Sequence, residues 1–326
     1  MPNIDRKYFL GVSAVIAAVL PLIVHDPYFL HLVILIFLNA TLGMGFSLIF
    51  SSGLITLGAA AFWGIGAYAS ALLVTKAGLS FWAALPSAMV ISGIIAILIG
   101  YFIVRYVGAG FVVFTLLFCL LTDKVFGYFD VFGGWGGLTA IPAPNPLYLP
   151  SLGKITFSNK AEYYYLGLFL VVIIVVVLHS LYSSRIGRVW KAIRFGPELA
   201  QTLGVNVNRY RLAAFSLASA FAGLLGSFYA HYNMTISPLT FDVLKSVHIQ
   251  IYAILGGLEF YIFGPFIGSF IFTLLPEFLR INDAIEPYVT GVALIVLVVF
   301  LPSGLTGLLR EGVASVSRRG KLLGRI

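Results

Sequence analysis

Of 326 residues, 60% are hydrophobic and only 10% charged, too few to cover the surface of a water-soluble fold of this length. The net charge of +8 reads, in so apolar a chain, as Lys and Arg gathered in loops on one side of a bilayer, so a lipid membrane and not nucleic acid is the expected partner. The single cysteine, Cys119, excludes an internal disulfide.

In chain order, Arg6 and Lys7 precede an apolar stretch from Tyr8 to Val24. No small-x-small cleavage pattern follows it, which favours a retained span over a secretory signal. A helix needs about 20 apolar residues to cross the hydrocarbon. Segments 8–25, 28–50, 54–75, 79–104, 107–121, 162–182, 210–232, 243–258, 262–280 and 286–302 meet or approach that length. The expectation is an all-α, polytopic transmembrane helical bundle, a single transmembrane domain over 1–326 with about ten spans (range 8–10). Segments 107–121 and 243–258 are short and glycine-containing, and are expected to be partial or broken helices lining a protein-buried cavity.

An even span count with the N-terminus inside puts Arg6, Lys7, Arg105, the 183–211 segment and the basic tail 303–326 on one side. Those regions hold fourteen of the 20 basic residues. The positive-inside bias makes that side, and both termini, cytoplasmic. Lys76, Lys124, Lys154, Lys160, Lys245 and Arg280 then face outward. The longest stretch between spans, 122–161, contains GGWGGLTAIPAPNPLYLP, which no continuous helix accommodates. It is expected to pack at the outer mouth.

Small and polar residues crowd 39–70, where they let helices approach closely or break and so expose backbone groups to a solute. Asn39, Ser47, Ser51 and Thr56, with Thr115, Gly133 and Gly134, are the candidate translocation-path residues. Plain helix packing explains any one of them equally well. Gly256, Gly257, Gly264 and Gly268 loosely echo the first cluster, as half of an inverted repeat would.

The segment 183–209 is the polar interruption. Ile186, Val189, Trp190 and Ile193 share one face of a basic amphipathic helix ending near Phe195. Gly196 then serves as N-cap, Pro197 fits the first helical position, and Glu198 complements the helix dipole. Gly204 is a natural stop. The resulting helix of about two turns is too short to stand without neighbours.

Glu198-Leu199-Ala200-x-x-x-Gly204 resembles the EAA loop of ABC importer permeases, with Leu199 in place of the first alanine. The surrounding GRVWKAIRFGPELAQTLGVNVNRYRLAAFSLASAFAGLLGSFYA (187–230) resembles the Liv-type permeases for branched-chain and other hydrophobic amino acids. LIFSSGLITLGAAAFWGIGAY (48–68), FTLLF with GGWGGLTAIPAP (114–118, 133–144), LGGLEFYIFGPFIGS (255–269) and LPSGLTGLL (301–309) resemble that family's other blocks, in the same order. The arrangement is most similar to the M-type subunit. Departures from the family pattern are Ala60, the pair Glu259-Phe260, and Leu120.

The resemblance implies a non-enzymatic permease subunit in a bacterial or archaeal cytoplasmic (inner) membrane. It would pair with a homologous second permease and work with two cytoplasmic ATPases and an extracytoplasmic binding protein. Pro197, Glu198, Leu199, Ala200 and Gly204 would couple it to the ATPases. No cofactor is expected on this chain, and ATP and Mg would bind the partner subunits. The chain has no G-x-x-x-x-G-K-[ST], since Gly153-Lys154 and Gly320-Lys321 are followed by Ile155 and Leu322. No metal site is expected, because the five histidines lack ligand spacing. The alternative reading is an ion-coupled secondary transporter of small organic solutes. It would want ionisable groups inside spans, yet Asp123, Asp242, His248, Glu259 and Glu277 fall near expected helix ends.

Overall fold

The computed structural model describes residues 19–21, 26–149, 153–258, 260–279 and 291–292. Among the described residues ten α-helices carry the fold: α1 (Pro27–Ser51), α2 (Ala59–Thr75), α3 (Phe81–Ile103), α4 (Ala109–Tyr128), α5 (Lys160–Ser183), α6 (Arg185–Phe195), α7 (Pro197–Thr202), α8 (Val207–Asn233), α9 (Val243–Gly256) and α10 (Phe263–Leu279). The only paired strands among the described residues are β1 (Leu147–Leu149) and β2 (Gly153–Ile155), an antiparallel hairpin with Leu147 opposite Ile155. Among the described residues α1, α3, α4, α5 and α8 are long and apolar enough to cross a membrane. The architecture is that of a multi-pass helical bundle. The expected spans 8–25 and 286–302 and the tail 303–326 lie almost wholly outside the described residues.

Polar side chains fix where the helices start. Asp26 accepts from the Tyr28 amide at 3.0 Å ahead of Pro27, and Asn206 accepts from the Arg209 amide at 3.2 Å at the head of α8. Asn159 and Glu162 form a capping box on α5. The head of α3 is capped from a distance, with the Phe81 amide donating to Asn145 Oδ1 at 3.0 Å.

Helices α1 and α8 form the buried centre, and α3, α4 and α5 surround it with outward-facing apolar side chains such as Leu98, Leu121 and Phe169. Water does not drive helices together inside lipid, so close backbone contact does more of the packing. Helices α2 and α8 cross at Gly66 and Gly223, where a side-chain carbon on either glycine would run into its neighbours' atoms. Helix α3 joins there through Ser92, which donates to the Phe62 carbonyl at 3.4 Å.

Two departures from expectation position the functional region. The segment 107–121 is not broken. It belongs to the 20-residue α4, because its glycines, Gly108 and Gly110, sit at the helix start where they interrupt nothing. The segment 54–75 is helical only from Ala59, and 52–58 folds back non-helically after α1 ends. A second long helix does the same in the opposite sense. Helix α8 ends at Asn233, 234–242 folds back, and α9 restarts as a 14-residue helix. The glycines Gly256, Gly264 and Gly268 hold α9 against α10.

The ends of the bundle are distinguishable. One carries Arg105, Arg185, Arg188, Lys191, Arg194, Arg209 and the segment α6–α7. The end of α3 reaches it, since Gly100 packs against Leu212 and Phe215 at the start of α8. The opposite end carries residues 129–149.

Candidate functional site: two broken helices and a surface helix

Residues 52–58 leave backbone groups without helical partners inside the bundle, a situation membrane proteins tolerate only when other protein groups supply them. Here they do. The Leu57 amide donates to Thr115 Oγ1 at 3.0 Å, the Gly58 amide to Thr56 Oγ1 at 3.1 Å, and Gln250 Nε2 to the Thr56 carbonyl at 2.9 Å. The first turn of α2 is met by the first turn of α9, where the Ala60 amide donates to Ser246 Oγ at 3.0 Å. Cys119 lies beside the same hydroxyl, 3.9 Å away. Two short helices thus begin head to head in the middle of the bundle.

The stretch that leads to α9 is held from residues 129–149. Leu138 and Ile236 exchange backbone hydrogen bonds of 2.9 Å in both directions, and the Ile141 amide donates to the Met234 carbonyl at 3.0 Å. Phe241 then fills the space between Trp63 and Tyr68, with ring centroids 4.9 and 6.0 Å away. Asp242 caps α9 by accepting from the Lys245 amide at 2.9 Å.

Lys245 was expected on the outer surface and is instead at the level of Asn39, the midpoint of α1. Its ammonium donates to Asn39 Oδ1 at 3.2 Å, and Asn39 Nδ2 donates onward to Thr273 Oγ1 at 3.3 Å. The rings of Trp63 and Tyr252 stand 5.5 and 6.0 Å from the ammonium. Hydropathy along the chain cannot show this placement, because it assigns a charged residue at the edge of an apolar run to the surface. The fold-back at 234–242 carries that edge inward. Asp242 moves with it.

The candidate path residues fall in four places. Thr56 and Thr115 meet through the fold-back, and Asn39 meets Lys245. Thr41, Thr56 and Ser219 also line a small cavity between α1, α2 and α8. Ser47 and Ser51 lie buried lower on α1. Ser51 donates to the Leu48 carbonyl at 2.6 Å, and Ser47 Oγ has no partner among the described residues. Gly133 and Gly134, with φ of 81° and 59°, shape turns at the opposite end and do not join the others. Of the departures from the family pattern, Ala60 sits at the head-to-head junction, Leu120 is partly exposed, and Glu259 lies outside the described residues. Sequence reasoning missed Trp63, Gln250, Ser246, Tyr252 and Thr273 as site residues. The available signal was a lysine three residues after a capping aspartate, at the mouth of an apolar helix.

At the basic end, α7 spans Pro197–Thr202, and Gly204 beyond it has a φ of 82°. Ala200 is its only buried residue and packs with Ile193 of α6 and Val207 of α8. Glu198 and Leu199 point outward, and three apolar side chains are strongly exposed: Phe195 at 82%, Leu199 at 69% and Leu203 at 77%. Beneath them the segment is anchored to the bundle at several points. Trp190 Nε1 donates to the Tyr210 carbonyl at 2.9 Å, the Arg194 guanidinium covers Phe50 at 4.2 Å, and Lys191 lies 5.7 Å from the Tyr261 ring. Arg194 and Ile193 also abut Gly53, the first turn of the fold-back that leads to α2.

Comparison with known proteins gives the setting. Residues 28–301 match the family described as branched-chain amino acid transport system / permease component. The chain is 28% identical to the high-affinity branched-chain amino acid transport system permease protein LivM of Salmonella typhimurium, over 98% of this chain and 79% of that one. It is likewise 28% identical to LivM of Escherichia coli, over 94% of this chain and 76% of the relative. A probable LivH of Methanocaldococcus jannaschii is 32% identical over 33% of each chain. No solved structure matches. The chain belongs to the branched-chain amino acid transport permease family, as a Liv-type permease of the M type.

Proposed function

We propose that this chain forms half of the translocation path of an ATP-binding-cassette importer for branched-chain or related amino acids. The basic end faces the cytoplasm, both termini lie there, and about ten spans cross the membrane, as the distribution of Lys and Arg favours. A homologous second permease completes the path, a binding protein delivers solute at the end carrying residues 129–149, and two ATPases holding ATP and Mg dock at the basic end. The transport roles of the relatives support the substrate class.

One observation carries the mechanical part. The surface helix α7 offers exposed Leu199 and Leu203 outward while its base is packed on α6 and α8. A two-turn helix held only by such contacts moves with the helices beneath it. A push on Pro197–Gly204 by ATPase closure therefore reaches Arg194 and Gly53, then the fold-back 52–58, and through it the junction of α2 with α9. Pro197 and Glu198 start this lever, Ala200 seats it and Gly204 ends it.

The placement of Lys245 and Asp242 inside the bundle lends one observation to the ion-coupled carrier reading. Uptake of labelled leucine in membrane vesicles separates the two. The importer requires the binding protein and stops with vanadate; uptake that a protonophore collapses while ATP persists would establish the carrier instead.

A further inference from the structure

The ammonium of Lys245 has three donors to satisfy, and the structure accounts for one of them, through Asn39 Oδ1. No carboxylate among the described residues lies within ion-pair distance of it. The only ion pair there joins Lys124 and Asp123. Asp242, the acid next along the chain, spends Oδ1 on the Lys245 amide as the cap of α9. A cation at mid-bundle without an acid is costly in a membrane protein, and such groups mark solute pathways. The rings of Trp63 and Tyr252 offset part of the cost by presenting their faces, while leaving the charge uncancelled.

Around this cation, independent features favour a negative charge. The amide of Asn39 is oriented, because its oxygen receives Lys245 and its nitrogen donates to Thr273. Trp63 is 2% exposed, and its indole N–H has no acceptor among the described residues. That is an unspent donor in the side chain that flanks the ammonium. Helix α9 starts at Val243, two residues before Lys245, and directs the positive end of its dipole to the same region.

We infer that Lys245, with Asn39 and Trp63, is a relay site that receives the carboxylate of the amino acid during passage. This inference rests on the amino acid importer reading above. A carboxylate placed on Lys245 pairs the lone charge, and the aromatic walls of Trp63 and Tyr252 stand beside it for an apolar side chain. Asp242, the nearest acid, acts on Lys245 only from beyond ion-pair distance while its Oδ1 caps α9, so the ammonium has no directly paired carboxylate among the described residues and can take the solute's. The site holds a carboxylate weakly enough to release it, as a pathway requires.

The test uses the whole importer, co-purified with its partners and reconstituted with ATP inside and leucine-loaded binding protein outside. Lys245→Met is expected to lower leucine uptake about tenfold or more, with ATPase stimulation by loaded binding protein kept, and Lys245→Arg to restore most of the uptake. Asn39→Asp gives a second approach, since it installs a carboxylate on Lys245 and should block uptake to a similar extent in an assembled complex. Either assembled variant transporting at the wild-type rate overturns the site. Failure of both variants to assemble also overturns it, because Lys245 and Asn39 then hold α9, α1 and α10 together instead of receiving the solute. A wild-type complex that moves no amino acid refutes the importer reading itself, whereas wild-type transport with an indifferent Lys245→Met refutes only the relay site.

Discussion

Arg211, 4% exposed at the start of α8, donates its Nε to the carbonyl of Ser52 at 3.3 Å, joining the end of α1 to the helix that follows the surface segment. The bond closes the last turn of α1 at the point where the chain folds back toward α2. It also places a buried guanidinium beside Gly53, against which Arg194 of α6 packs. A surface helix and a broken membrane helix therefore share one joint.

Arg211→Met removes the donor and leaves the Ser52 carbonyl buried, which costs about 1–3 kcal/mol. Thermal unfolding of the purified complex should shift down accordingly, and uptake should fall further than stability because the joint between α6 and the fold-back loosens. Lys in place of Arg is expected to recover little, since a point ammonium does not reproduce the planar fork.

Within α7 the two faces should behave oppositely. Leu203→Ser changes a side chain that touches little of this chain, so stability should hold within about 0.5 kcal/mol while ATPase co-purification drops. Ala200→Asp buries a charge between Ile193 and Val207 and should unseat the helix, seen as protease cleavage between α6 and α8. Gly204→Asp strains a backbone at φ 82° and should uncouple ATP hydrolysis from uptake with membrane insertion intact.

Thr115 bridges α4 to the fold-back. Thr115→Val keeps the shape and removes the acceptor from the Leu57 amide, at a cost of about 1–3 kcal/mol, whereas Thr115→Ser should stay close to wild type. Hydrogen exchange at Leu57 reads the difference directly.

His231 is fully buried and fixed on both nitrogens: Nδ1 is 2.7 Å from the Pro142 carbonyl, and Nε2 is 3.0 Å from Ser70 Oγ. Ser227 donates to Ser70 at 2.7 Å, so one chain of bonds runs from α8 through α2 to Pro142 in the loop after α4. His231→Phe should free the 138–145 segment, measured as faster proteolysis there, and lower the unfolding midpoint by an amount matching about 1–3 kcal/mol.

How much of this was legible in the sequence depends on the kind of signal. Long apolar runs such as α5 and α8 declare themselves because hydropathy sums over many residues. The Gly196-Pro197-Glu198 start and Gly204 stop of α7 are local stereochemistry and could be read directly. The fold-backs could not. Nothing in Ser52–Gly58 or Met234–Asp242 states that the chain turns inward, because that depends on Thr115, Gln250 and Leu138, residues distant in sequence that supply the missing hydrogen bonds. Lys245 was misplaced for the same reason. Gly133 and Gly134 sit in turns whose positive φ suits glycine, a conformation that composition alone does not announce.

The central claim, that the surface helix delivers the force of partner ATPases, has a direct test built on the chemistry of this chain. Cys119 is its only cysteine and is buried, so a cysteine introduced at position 203 is the single reactive thiol. In the assembled importer, a thiol cross-linker on Leu203→Cys is predicted to join this chain to an ATPase subunit, with a yield that changes when vanadate traps the closed ATPase. A complex that transports leucine yet gives no cross-link from position 203 under either condition would contradict the account.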